Sequence, residues 1–80
     1  MTVPTAGPPN PRLLKLGSNL KAARLKAGSM SQDDLALKAG VSRRLPNLIE
    51  HGRTEPKVLT LVKLADALGI TAADLLDGVN

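Results

Sequence analysis

The side chains with the most chemical reach lie in one stretch, SQDDLALKAGVSRRLPNLIEHG, from Ser31 to Gly52. Arg43 and Arg44 stand side by side, Asn47 and Leu48 follow, and Gln32 sits eleven residues before Arg43. Arginine presents parallel N–H donors that match the O6 and N7 acceptors of guanine. Asparagine can bridge adenine N6 and N7, and an apolar side chain such as that of Leu48 can meet the methyl group of thymine. The amide of Gln32, placed in the first turn of a helix beside free backbone N–H groups, suits a phosphate oxygen. These residues are equipped for recognition. Catalysis lacks its usual means: the chain has one histidine, His51, no cysteine, no clustered carboxylates and no glycine-rich phosphate loop. We therefore expect no enzyme, no cofactor and no metal site, since His51 has no partners at a recognisable ligand spacing.

Two short helices joined by a three-residue turn must carry these side chains, an arrangement that reads as a helix-turn-helix. Ser31 is placed to cap the first helix, and Asp33 and Asp34 put negative charge in its first turn, where the helix dipole favours it. Leu35 and Ala39 share one face with the small Ala36 beside them, so a second helix can cross closely. Gly40 can end the first helix in the left-handed conformation, Val41 can plug the corner, and Ser42 can cap the second helix.

At these residues the chain resembles the lambda repressor-like (Cro, or XRE) helix-turn-helix family. Gln32, Ala36, Gly40, Val41, Ser42, Ile49, Glu50 and Gly52 fall on that family's motif, Q-x-x-x-A-x-x-x-G-V-S followed by I-E-x-G. Pro56 and the run LVKLADALGI from Leu61 look like its fourth helix, so the likeness runs from Leu13 to Gly78. The resemblance implies that Arg43 and Arg44 reach base edges. It also implies that His51, Arg53 and Thr54 follow the sugar-phosphate backbone, and we group Ser42 and Gln32 with these phosphate contacts. It further implies that Arg24, late in the first helix, pairs with Glu50 to fix the tilt of the reading helix; the bland alternative is two ordinary surface charges. If that site is dry, truncating either partner strands the other charge at several kcal/mol.

The remaining chain supports a single small domain, because 80 residues are too few for two cores. The fold class expected is all-α: a compact bundle of five short helices over residues 12–78, behind a disordered proline-rich arm at 1–11 whose sequence cannot bury enough apolar area to order itself. With no Phe, Tyr, Trp or Cys, the core must be aliphatic and unaided by disulfides. The first helix should run from Pro11 to Gly28, burying Leu13, Leu16, Leu20, Ala23 and Ala27, with Gly17 weakening its middle. Gly28 to Met30 form the connection, one residue longer than the common family form, with Met30 as an apolar plug. The fourth helix, Lys57 to Leu68, carries the stripe Leu61, Leu64, Ala65 and Leu68 and stops at Gly69. Ile70 should anchor the turn. Thr71 can cap a fifth helix, Ala72 to Asp77, whose Leu75 and Leu76 face the core or a partner subunit.

The net charge is +4, and its distribution is uneven. All 11 Lys and Arg lie between Arg12 and Lys63, where only four acidic residues oppose them, a net +7. The rest carries Asp66, Asp74 and Asp77 and no cation. The positive field thus coincides with the reading element.

Pro46 departs from the family, which carries there a core-facing residue with a backbone N–H. If Ser42 caps the second helix, Pro46 falls at its fourth position and cannot donate to the Ser42 carbonyl. If the helix starts late, Leu45 is the boundary and Pro46 the first helical residue, a favoured proline site, with Arg43 and Arg44 left on a turn. The function expected is sequence-specific binding of double-stranded DNA, read in the major groove by the helix around 42–51, by a repressor-like homodimer on a near-palindromic operator. The dimer would use the segment around Ile70 to Leu76 as its interface. An alternative is a protein-interaction or antitoxin-type module presenting Leu45, Pro46 and Leu48 as an apolar patch. No apolar run is long enough to span a bilayer and no signal-peptide order is present, so a cytoplasmic, nucleoid-associated protein is expected.

Overall fold

Among the described residues, three of the five helix starts are made by side chains that satisfy otherwise orphaned N–H groups, which is why they begin where they do. The structure, a computed structural model, describes residues 10–80. The arm expected over 1–11 lies outside the described residues except for Asn10 and Pro11. Asn10 Oδ1 accepts from the backbone N–H of Arg12 at 2.9 Å and Pro11 opens α1 (Pro11–Lys26). Ser31 Oγ accepts from the Asp34 N–H at 3.0 Å and starts α2 (Gln32–Ala39). Thr71 and Asp74 form a reciprocal capping box at α5 (Ala72–Leu75), with Asp74 N–H to Thr71 Oγ1 at 3.1 Å and Thr71 N–H to Asp74 Oδ2 at 2.9 Å. No strand occurs among the described residues.

Helix ends follow the same logic. Gly40 takes φ 71° after α2, and the next N–H, that of Val41, reaches back to the Ala36 carbonyl at 3.0 Å. Gly69 repeats this at the end of α4 (Val58–Leu68), with φ 72° and the Ile70 N–H on the Ala65 carbonyl at 3.0 Å. Both closures throw an apolar residue, Val41 or Ile70, back onto the core.

The third helix corrects the expectation of a reading helix around 42–51. It spans only Leu45–Glu50, α3, and Pro46 lies in its first turn. The proline has no N–H to give the Ser42 carbonyl, so Leu45 N–H takes that carbonyl at 3.0 Å and the segment before it closes as a turn. Arg44, at φ −83° and ψ −16°, is the cap residue, and Ser42 Oγ meets the Arg44 N–H only at a long 3.4 Å. The late start therefore prevails, one residue earlier than the version in which Pro46 comes first.

The helices bury one aliphatic core. Leu16 and Leu20 of α1, Leu35 of α2, Ile49 of α3, Leu61 and Leu64 of α4 and Leu75 of α5 meet there, with Ala36 and Ala65 allowing close approach. Pro46 is fully buried among them, while Leu45 and Leu48 are half-buried. The exposed apolar patch expected from these three residues does not form, because the proline ring is packed into the core and Leu45 and Leu48 are half-covered. Leu75 faces the core at 0% exposure, whereas Leu76 remains 41% exposed. Helices α1 and α5 end earlier than expected, where the last residues leave the helical conformation, and α4 starts one residue later because Lys57 is an extended cap residue.

Gly17 is a finding that propensity alone obscured. It is buried where α1 crosses α3, and a Cβ built on it would meet the carbonyl oxygens of Ile49 and Glu50, the latter at 2.8 Å, and the Glu50 carbonyl carbon at 2.9 Å. Only a residue without a side chain lets the two backbones approach this closely.

Candidate nucleic-acid interface

The orientation of α3 is set by a polar chain on its inner side. Arg24 grips Glu50 with two donors, Nε to Oε2 at 2.8 Å and Nη2 to Oε1 at 3.0 Å, and its Nη1 donates to the Met30 carbonyl at 2.7 Å. The side chains are 10% and 4% exposed, so this is a nearly dry, forked ion pair joining α1 to the end of α3. The hydrogen bonds Arg24 donates to Glu50 outweigh the cost of burial and, with Glu50's charge, hold the Arg24 guanidinium above its ordinary value.

The chain continues outward. Gln32 Nε2 donates to Glu50 Oε1 at 3.1 Å, and Asn47 Nδ2 donates to Gln32 Oε1 at 3.2 Å. Gln32 and Asn47, read separately in the sequence as a phosphate contact and a base contact, are therefore linked, and Glu50 anchors both. The signal was present: Asn47 and Glu50 are three residues apart on one short helix, facing the start of α2.

Five of the expected contact residues converge. Gln32, Arg43, Arg44, Asn47 and Leu48 line one shallow depression together with Asp33, where the first turn of α2 meets the turn into α3. Arg43, Arg44 and Asn47 are exposed there. Asp33, read in the sequence only as a first-turn charge, has a further partner here: Arg43 Nη2 donates to its Oδ2 at 3.0 Å. The pair is open to solvent, and the hydrogen bond to Asp33, followed by its charge, raises the Arg43 pKa.

Of the other expected contacts, exposed Ser42 stands before α3, whereas His51, Arg53 and Thr54 gather past its other end. His51 Nδ1 lies 2.9 Å from the Asn47 carbonyl, and the Arg53 backbone N–H donates to the Leu48 carbonyl at 2.9 Å, leaving both side chains exposed. Thr54 is half-buried. No group of three His, Cys, Asp or Glu side chains that could hold a metal ion is found among the described residues. No helix among them is long and apolar enough to cross a membrane.

A capped helix, a left-handed glycine turn and a short second helix clamped to the bundle by a buried arginine define a helix-turn-helix module. The chain belongs to the HTH_3 helix-turn-helix family, whose model matches residues 20–75, and with it to the DNA-binding transcriptional regulators. It is 35% identical over 60 residues to an uncharacterized HTH-type transcriptional regulator, y4dJ, of Sinorhizobium fredii, covering 75% of this chain and 77% of that protein. It is 35% identical over 68 residues to the control protein C.BamHI of Bacillus amyloliquefaciens, covering 85% and 83%. In three dimensions it is similar to the restriction-modification controller protein C.AhdI of Aeromonas hydrophila. That match has a TM-score of 0.74 at 33% identity, over 79% of this chain and 94% of that one.

Proposed function

We propose that this regulator acts as a repressor-like homodimer that reads a near-palindromic operator. Arg43 and Arg44 address guanine edges, Asn47 an adenine, and Leu48 a thymine methyl, while Gln32, Ser42, His51, Arg53 and Thr54 hold phosphates. The observation that carries this reading is the single depression in which Gln32, Arg43, Arg44, Asn47 and Leu48 meet at the outer edge of the motif. Arg43 and Arg44 project from a turn, not from a helix, so they reach ahead of α3 and leave its short axis to set the depth of entry. A protein-interaction role has lost its motivating patch, since Pro46 is buried.

One such module covers only a few base pairs, so useful specificity calls for two half-sites. The exposed apolar residues Val58, Leu59, Val62 and Leu76 supply a surface for the second copy. Within the segment around Ile70 to Leu76 expected to form the interface, Leu75 is committed to the chain's own core and Leu76 is left exposed. The protein would work in the cytoplasm, on the nucleoid.

Selection of bound fragments from a random duplex library, followed by titration at two salt concentrations, tests the proposal. The expected result is a pair of inverted half-sites about one helical turn, roughly 34 Å, apart. Binding to it should exceed binding to scrambled duplex by about a thousandfold or more and weaken steeply with salt. Arg43→Ala should remove about 1–3 kcal/mol of discrimination at one base pair per half-site. Arg53→Ala should weaken all duplexes alike and flatten the salt dependence. Binding that shows no base preference at either salt refutes the reading.

A further inference from the structure

Asp33 makes no capping bond to the helix that carries it. Ser31 already caps α2 through the Asp34 N–H, and Asp34 supplies negative charge to the same turn. Asp33 instead reaches ten residues along the chain and accepts Arg43 Nη2 at 3.0 Å, although the two side chains are 59% and 81% exposed. Both line the depression that holds Gln32, Arg44, Asn47 and Leu48. A carboxylate on a face that must approach phosphates works against affinity, because every nucleic-acid backbone repels it. Its place at the lip calls for a different reason.

We propose that Asp33 is a specificity-determining positioning residue, which holds the Arg43 guanidinium so that its free donors address guanine and not the nearest phosphate. The inference rests on the reading of Arg43 as a base contact. One of the five N–H groups of Arg43 is committed to Asp33, and two parallel ones among the remaining four suffice for guanine O6 and N7. An arginine on a turn otherwise samples many rotamers and loses that freedom on docking, whereas a tethered one has less to lose. The tether also restrains the swing toward phosphate, which would add affinity without sequence preference. Asp33 thus exchanges general affinity for discrimination.

The test uses the full chain and labelled duplexes: the best selected duplex, its single base-pair variants and a scrambled control. Proteins compared are the unchanged chain, Asp33→Asn, Asp33→Glu, Arg43→Ala and the Arg43→Ala/Asp33→Asn double variant. Asp33→Asn should bind scrambled duplex about threefold more tightly, having lost a repelled charge. It should lose about fivefold of its preference for guanine at the one base pair whose preference Arg43→Ala abolishes. Asp33→Glu, which keeps the carboxylate, should retain most of that preference, and Asp33→Asn should change nothing there once Arg43 is gone. Thermal melting of Asp33→Asn should show the chain still folded, with at most a drop of a few degrees from the missing first-turn charge, since neither side chain is packed. If Asp33→Asn tightens selected and scrambled duplexes by one common factor, Asp33 is only a repelling charge and the proposal is overturned. If Arg43→Ala alters no base preference, the underlying reading of Arg43 falls, and the role of Asp33 with it.

Discussion

Gly17→Ala pits two effects of opposite sign against each other. In an isolated helix, alanine in place of a central glycine gains about 1 kcal/mol, because glycine surrenders more backbone freedom on folding. In this bundle the added methyl would collide with the carbonyl oxygens of Ile49 and Glu50, which are backbone atoms and cannot turn aside as a side chain could. A carbon at 2.8 Å from the Glu50 oxygen and 2.9 Å from its carbonyl carbon forces α1 and α3 apart by several tenths of an ångström. Overpacking of this kind costs about 1–3 kcal/mol, and this site belongs at the upper end because the helix itself must move. The net change is a loss of about 2 kcal/mol, or roughly 8–16 °C in melting temperature for a domain of this size. With no aromatic residue in the chain, far-UV circular dichroism followed through heat and urea is the natural assay. Ser18→Ala, one residue on and exposed, is the control: it should gain a few tenths of a kcal/mol from propensity alone. A melting temperature for Gly17→Ala above that of the unchanged chain would refute the close crossing of α1 and α3. The same variant should weaken binding to the selected duplex, because α3 ends at the Glu50 that Arg24 holds.

Glu50→Ala leaves the Arg24 guanidinium buried without a counter-charge and should cost about 3 kcal/mol. The double variant Arg24→Met/Glu50→Leu should recover most of this in urea titration, and a loss below about 1 kcal/mol for Glu50→Ala would mark the pair as a solvated one. Pro46→Ile should leave the melting temperature unchanged or lower it, since the buried ring sits in a first turn that needs no N–H from it; a rise would show that the proline was suppressing a longer helix. Asp74 is held below the usual carboxylate range, first by the Thr71 backbone N–H and then by the Thr71 hydroxyl. Its contribution is therefore complete above the unfolded carboxyl value and is lost as pH falls through the lowered folded value. The stability difference between the unchanged chain and Asp74→Asn should accordingly shrink on acidification below about pH 4. Thr71→Ala, which removes the other half of the capping box, should cost about 1 kcal/mol by thermal melting.

The elements and their faces were legible because they follow from local rules. Caps at Ser31 and Thr71, the glycines at 40 and 69 and the stripe Leu61, Leu64, Ala65 and Leu68 each act within a few residues of chain, where periodicity and backbone geometry decide the outcome. The motif from Gln32 to Gly52 carried the fold for the same reason. What only the packed chain decided involves residues far apart in sequence. Pro46 could have ended a helix or begun one, and the choice fell to the pocket that its ring fills and to the Ser42 carbonyl taken by Leu45. Gly17 read as a weak point because propensity counts only its own helix, whereas its role is to admit the backbone of α3, over thirty residues away. Asp33 read as a favourable first-turn charge, and only the turn that brings Arg43 within 3.0 Å gives it a partner. Local geometry is written in neighbouring residues; distance across a fold is not.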